Sequence, residues 1–211
     1  MEFLAAWAPS QPWFMGEAGG GLTNVASFRF DDPDGEVGVE TLLVRAGDGP
    51  VMQVPLTYRN APLTGGDAWL IGTLHHSVLG TRWVYDAVGD PVYLLTTATA
   101  TITGGRQADL FVDVDGEMVP REPSAVVVGS GTGATVPTAP SVEDISTRFE
   151  DGSTVVETTG LALAVARVLR AGAPELRWPA SLTRTNTVEG VLSGTWAGQS
   201  EPQPLVLAAV R

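Results

Sequence analysis

Residues 71–87 read IGTLHHSVLGTRWVYDA. Both histidines of the chain, His75 and His76, stand here side by side, and Arg82, Trp83, Tyr85 and Asp86 follow within ten positions. On a strand, adjacent side chains point to opposite faces, so the two imidazoles do not share one metal ion and His76 does not reach the Ser77 hydroxyl. A hydrolase elbow reads G-x-S-x-G, whereas this chain has H-H-S-V-L. The simpler reading is architectural. The histidines serve as hydrogen-bonding residues of a polar core, and Arg82, Trp83, Tyr85 and Asp86 form a polar and aromatic cluster that holds a strand corner. A ligand groove built from the same six residues is the sharper alternative.

Working outward, the stretch sits in a chain punctuated by turns. Asp-Gly occurs at 34–35, 48–49, 115–116 and 151–152, each flanked by strand formers, which predicts hairpin turns with positive φ. Strands are expected at 24–31, 37–46, 51–59, 67–76 and 81–86, an antiparallel meander. A short helix is expected at 2–8, where Phe3, Leu4 and Trp7 share a face and Pro9 stops the run. A second is expected at 91–103. Asp90 is a good N-cap, Pro91 suits the first turn, and Gly104 and Gly105 end it. Val92, Leu95, Thr99 and Ile102 would be its apolar face. Its five threonines suit a strand better, and the caps decide for the helix. Beyond a loop-like segment at 129–141, strands are expected at 142–149, 153–159, 161–170, 188–196 and 203–210. The alanine-rich run LALAVARVLR permits a helix, but its flanking turns favour a buried strand.

Composition removes whole classes of function. The 211 residues suffice for one large domain or two small ones. A net charge of -12 disfavours nucleic acid and anionic lipid. All twelve basic residues are arginine, so Schiff-base chemistry and the phosphate-gripping lysine of kinases and phosphate loops have no residue to use. With no cysteine, disulfides, thiolate zinc sites and cysteine nucleophiles are excluded. No secretory signal is visible, and no apolar stretch approaches the ~20 residues of a membrane helix, so a soluble, cytoplasmic protein without a cofactor is expected.

Two motifs mislead. Gly129-Ser-Gly131-Thr-Gly133-Ala134 mimics a dinucleotide fingerprint, but Pro137 and Pro140 prevent a helix from starting behind it, so it reads as a flexible linker. Asp113, Asp115 and Glu117 mimic half a calcium loop but lack its closing glutamate; a hairpin explains them, and the same holds for 31–36.

Larger blocks carry a resemblance. HSVLGTRWVYDA at 76–87 with DPVY at 90–93, preceded by VGVETLLVRA and QVPLTYR, resembles the N-terminal cap of actinobacterial maltokinases and stand-alone proteins with a cap-like domain. The family's W-L-P-x-Q-R-W-F-A-G-K is matched by Trp7 to Glu17, with Pro12 in place of its arginine and Glu17 in place of its lysine. The second half is similar to the intermediate, kinase N-lobe-like subdomain of maltokinases: Ser153 to Glu157, Leu163 to Leu169, Arg170 to Leu176, then LSGTWAGQSEPQPLVLAAV. The resemblance implies an α+β, β-rich fold. A curved antiparallel sheet packed on a helix, cystatin-like, occupies 1–123, and a second small antiparallel β subdomain, kinase N-lobe-like, occupies 124–211. It places Ala164 where the family has its nucleotide-gripping lysine, and ends the chain about where a C-lobe would begin.

The function so implied is a non-catalytic accessory or regulatory protein linked to trehalose, maltose and α-glucan metabolism. A small-ligand or glucan-binding module is the alternative, since six tryptophans are enough to build one. A hydrolase with paired carboxylates ranks last, because no such pair stands out. A homodimer or a protein partner from α-glucan metabolism is expected. The contact surface would be the terminal hairpin near 188–210, presenting apolar residues such as Val191, Leu192, Trp196, Leu205 and Leu207; the alternative is that the polar Gln199, Ser200, Glu201 and Gln203 make this surface self-sufficient.

Overall fold

The computed structural model describes residues 2–17, 21–77, 80–114, 116–133, 137–170, 176–178 and 188–210. Val78 and Leu79 of the opening stretch, Ala134 of the glycine-rich run, and 171–175 of the Arg170 to Leu176 block lie outside them. Helix α1 (Glu2–Trp7) runs into a 3-10 turn at Ala8–Ser10, so Pro9 tightens the helix rather than ending it at once. A meander follows: β1 (Leu22–Phe30), β2 (Gly38–Ala46), β3 (Val51–Arg59), β4 (Leu70–His76) and β5 (Gly80–Asp86). Residues 67–69, expected in the fourth strand, form a 3-10 turn instead. Then come α2 (Pro91–Thr103), the hairpin β6 (Leu110–Val114) and β7 (Glu117–Arg121), and β8 (Ala125–Gly129). The second half supplies β9 (Ser146–Glu150), β10 (Ser153–Glu157), β11 (Leu161–Ala166), β12 (Val168–Leu169), β13 (Val188–Trp196) and β14 (Gln199–Val210). The strand expected from 142 starts at 146, behind a 3-10 turn at Val142–Asp144.

The described strands form two six-stranded antiparallel sheets and the separate β6–β7 hairpin. The first sheet has the order β1-β2-β3-β5-β4, with β12 added beside β3. The second has the order β8-β13-β14-β11-β10-β9. The fold is therefore α+β and β-rich, as the sequence predicts. The Asp-Gly turns form as expected at Gly35 and Asp151-Gly152, with positive φ, and Gly116 has positive φ too, while Asp115 before it lies outside the described residues. At 48–49 the left-handed residue is Gly47, one step earlier.

Helix α2 keeps its predicted bounds because its caps are made. Asp90 accepts the Val92 N–H at 2.9 Å, and Gly104 closes the helix at φ 74°. Its threonines are absorbed by back-bonding, Thr101 to the Thr97 carbonyl and Thr103 to that of Thr99, both at 2.7 Å. The expected face was too narrow. Of its four residues only Ile102 is fully buried, whereas Tyr93, Leu94, Thr97, Ala98 and Thr101 are too. The reason is position: α2 lies against β13 and β14 and shares one core with Phe28, Val39 and Leu43 of the first sheet. A second core on the opposite face of that sheet joins Leu4 and Trp13 to Leu42, Val44, Val54 and Leu56.

The glycine-rich run after β8 is no free linker over its described part. Gly131 and Gly133 donate to the Thr101 and Ile102 carbonyls at 3.0 and 2.8 Å, taking up acceptors that the end of α2 leaves open. A side chain on Gly129 or Gly131 would collide with the backbone of that helical turn. The glycines are there for close approach.

The strand expected at 161–170 changes sheets. Ala166 pairs with Ser153 in the second sheet, and Val168 pairs with Met52 in the first. Arg167, between them, receives the Gln53 N–H on its carbonyl at 2.9 Å and donates its own to Gly152 at 2.8 Å. The Gln53 side-chain amide spans the same seam, donating to the Ala166 and Leu205 carbonyls at 3.1 Å each.

Candidate functional site

The switch of sheets at Arg167 carries its side chain into the interior, where it is fully buried. Its Nη2 donates to both Asp86 oxygens, at 2.8 and 2.7 Å, and its Nε to Thr154 Oγ1 at 2.7 Å. The guanidinium carbon stands 5.2 Å from the Trp13 ring centroid, a cation–π distance, and Trp7 meets Trp13 edge-on at 5.6 Å. Nη1 has no hydrogen-bond partner among the described residues. The Trp7 to Trp13 motif and the end of the YDA motif thus converge on an arginine from the other half of the chain. Nothing local in the sequence announces this, because Asp86 and Arg167 are far apart along the chain.

Around this pair lies a cleft of about 330 Å³ lined by Trp7, Gln11, Trp13, Trp69, Arg148 and Arg167, among others. Trp69 lies on Gly89, where any side chain would strike the indole, and its Nε1 reaches Thr147 Oγ1 at 3.4 Å. Arg148 pairs with Glu150 and Glu157, so its charge is balanced. A groove of about 780 Å³ adjoins at Pro12, Trp13 and Phe149 and continues past Trp178 with Glu150 and Asp151 beside it. Its polar groups and aromatic faces equip it for binding.

The six residues singled out in the sequence are not brought to one place. Asp86 is buried against Arg167, and Tyr85 turns to the other face of β5, where its hydroxyl accepts the Leu63 N–H at 2.8 Å. Trp83 and Arg82 are half-buried on opposite faces of β5. His75 and His76 are exposed at the end of β4, not in a polar core. The expected core role fails because β4 is an edge strand at the end of the first sheet.

His76 and Arg82 do line a third cleft, of about 820 Å³, with Asp32, Glu36, Glu40 and Tyr58. Tyr58 Oη donates to Glu40 Oε2 at 3.1 Å. Burial pushes the Glu40 carboxyl up from its ordinary value, against the opposing pull of the Tyr58 hydrogen bond and the Arg29 charge. Burial, with the Glu40 charge beside it, raises the Tyr58 phenol far above its usual range. Among the described residues no group of three or more His, Asp or Glu is placed to hold a metal ion, and no helix is long and apolar enough to cross a membrane.

A further residue pair escaped the sequence reading. Asp90, the α2 cap, also accepts Thr57 Oγ1 and both nitrogens of an Arg59 fork, at 2.7 Å each. These contacts hold that guanidinium firmly protonated.

The terminal hairpin is corrected as well. β13 and β14 are interior strands of the second sheet, and Leu192, Leu205 and Leu207 are buried, with Val191 and Trp196 half-buried. Exposed apolar side chains gather instead on β6–β7, where Phe111, Val114 and Met118 are 51%, 50% and 64% exposed.

No curated protein matches the chain. The family model of the maltokinase N-terminal cap domain matches residues 7–90, from the tryptophan that backs Trp13 to the aspartate that caps α2, and this part of the chain is a maltokinase N-terminal cap-like domain.

Proposed function

We propose that the protein is a non-catalytic, maltokinase N-lobe-like accessory or regulatory protein linked to trehalose, maltose and α-glucan metabolism. The observation that carries this is Ala164. A kinase grips the nucleotide phosphates with a lysine on its third N-lobe strand. In the consecutive strands β9, β10 and β11, Ala164 lies in the third, fully buried between Val155 and Leu207, and offers neither charge nor donor. The β9–β10 connection supports the same reading. It is the two-residue Asp151-Gly152 turn, too short to cover phosphates as a glycine-rich loop does, and acidic. The link to α-glucan metabolism rests on the cap-like domain at 7–90. Calorimetry with MgATP, and a maltose phosphorylation assay, test the proposal. Neither binding nor turnover is expected; micromolar ATP binding lost on substitution within 153–167 overturns it.

The aromatic groove favours a second reading, a glucan-binding module. Phe149 and Trp178 offer ring faces, and Glu150 and Asp151 offer acceptors for hydroxyls. Titration with maltotetraose, followed by tryptophan fluorescence, tests it; loss of the signal in Trp178→Ala supports it, and no signal from the wild type removes it.

A further inference from the structure

The β6–β7 hairpin is a sheet of two strands standing apart from the two larger ones. A lone two-stranded hairpin is marginal in water, and a third strand is what usually makes such a sheet stable. Its side chains are exposed on both faces. Phe111 and Met118 are on one, and Val112, Val114 and Val119 are on the other. Apolar side chains exposed on both sides of so small an element mark a surface that is covered in use.

The two edges are unequal. In β7, Pro120 stands opposite Phe111. Proline has no N–H to give, so it is tolerated where its nitrogen faces outward, and it blunts that edge. The outer edge of β6, with the backbone groups of Phe111 and Asp113, has no strand of the described residues beside it and keeps its donors. Those two residues pair with Pro120 and Met118, positions at which the ladder bonds of the hairpin do not form and both backbone groups point away from β7.

The charge around this edge is mostly negative. Asp109, Asp113, Glu117 and Glu122 stand on or beside the hairpin, with Arg121 the single cation between them. At its base Leu110 joins the cleft that holds Asp31, Asp32, Glu36 and Glu40 along with Arg29 and Arg82, so that acids outnumber arginines there, and the buried Glu40 carboxyl is hydrogen-bonded to a neutral phenol rather than to an arginine. A guanidinium or ammonium group entering there gains a charged partner.

We propose that β6 is a docking edge that takes an extended segment of a different protein as a third strand, one in which apolar residues alternate with arginine or lysine. Backbone bonds to Phe111 and Asp113 give the affinity, and the alternating side chains meet the apolar faces and the acids. A second copy of this chain is disfavoured as occupant, because each carries a net charge of -12. The proposal names a contact surface for the accessory role above and does not depend on the Ala164 argument, so an active kinase would leave it standing.

The test uses the full chain and three synthetic probe peptides, of alternating Val and Arg, Val and Glu, and Ser and Arg. The Val-Arg peptide is expected to bind, less tightly at high salt, and the other two at least about tenfold more weakly. A Val-Arg peptide N-methylated on its pairing face should not bind. Phe111→Pro removes an edge donor without touching a ladder bond and should weaken binding about tenfold or more at an unchanged melting temperature. Phe111→Thr keeps the donor and should retain part of the affinity. No binding of the Val-Arg peptide overturns the proposal. So does binding indifferent to N-methylation and to Phe111→Pro, and so does a homodimer that Phe111→Pro dissociates.

Discussion

Asp86 and Asp90 flank a single 3-10 turn, Ala87–Gly89, and each meets an arginine, yet the two pairs do different work. Asp90 is tied to its own neighbourhood. It caps α2, accepts Thr57 and Arg59 from the adjacent strand, and pairs with an arginine that is one-fifth exposed. Asp86 reaches across to Arg167, a residue of the other half, whose side chain is fully desolvated and among the described residues has Thr154 as its one other hydrogen-bond partner. The difference teaches that a buried charge matters by what remains when its partner goes. Asp90 without Arg59 keeps two donors. Arg167 without Asp86 keeps one bond and an aromatic face.

The largest expected effect follows from that asymmetry. Asp86→Ala should destabilise by about 3–5 kcal/mol, the range for a buried ion left unpaired, seen as a collapse in thermal or urea midpoint. Asp86→Leu with Arg167→Met should recover much of this loss, since a packed apolar pair replaces a buried ionic one at little cost. Equal damage from the single and double variants would show that Arg167 holds the junction by some means other than its charge. Arg59→Ala should cost less, about 1–3 kcal/mol, because Thr57 and the helix N–H still solvate Asp90. If it matches Asp86→Ala in the same urea titration, the contrast between the pairs fails.

Glu40 extends the comparison to a carboxylate without an arginine in hydrogen-bond contact. Its folded-state pKa lies above the ordinary 4.5, so between those two values the folded protein binds more protons than the unfolded chain. Stability therefore falls as pH rises through that window and stays reduced above it. Glu40→Gln should melt above the wild type at pH 7, and the gap should close below pH 4.5. A variant that melts lower at both pH values would mean that the Tyr58 bond outweighs the burial. The smallest effect is expected at the opening motif. His75→Ala should stay within about 0.5 kcal/mol of the wild type, since its side chain is exposed on an edge strand.

The same two aspartates show how far the sequence could be read. Asp90 was legible as a helix cap because capping is local: a short acceptor, a proline and a glycine pair at the right spacing. The strands were legible for the same reason, since alternation and Asp-Gly turns are local signals. Asp86 was legible as a polar residue of note, but its partner was not, because which arginine returns to it depends on where the chain changes sheets. The apolar run LALAVA gave the strand β11 and hid that change one residue later. The terminal hairpin was misjudged by a related route. Its apolar residues read as unsatisfied, whereas strand order places them inside a sheet, and order between distant strands has no local signature. The glycine run at 129–133 was read as slack because glycine permits slack and close approach alike.

The crossing of the chain at Arg167 has a consequence for anyone who cuts the gene. A fragment ending at residue 123 would hold β1 to β5 yet lack the two-residue strand and the guanidinium that complete them, and a fragment starting at 124 would lack the helix that fills its sheet. Neither piece should fold well alone. Expressed together as separate chains, they should find each other and restore the whole, with Asp86 and Arg167 as the mutual key, which makes this junction a natural place to build a split reporter.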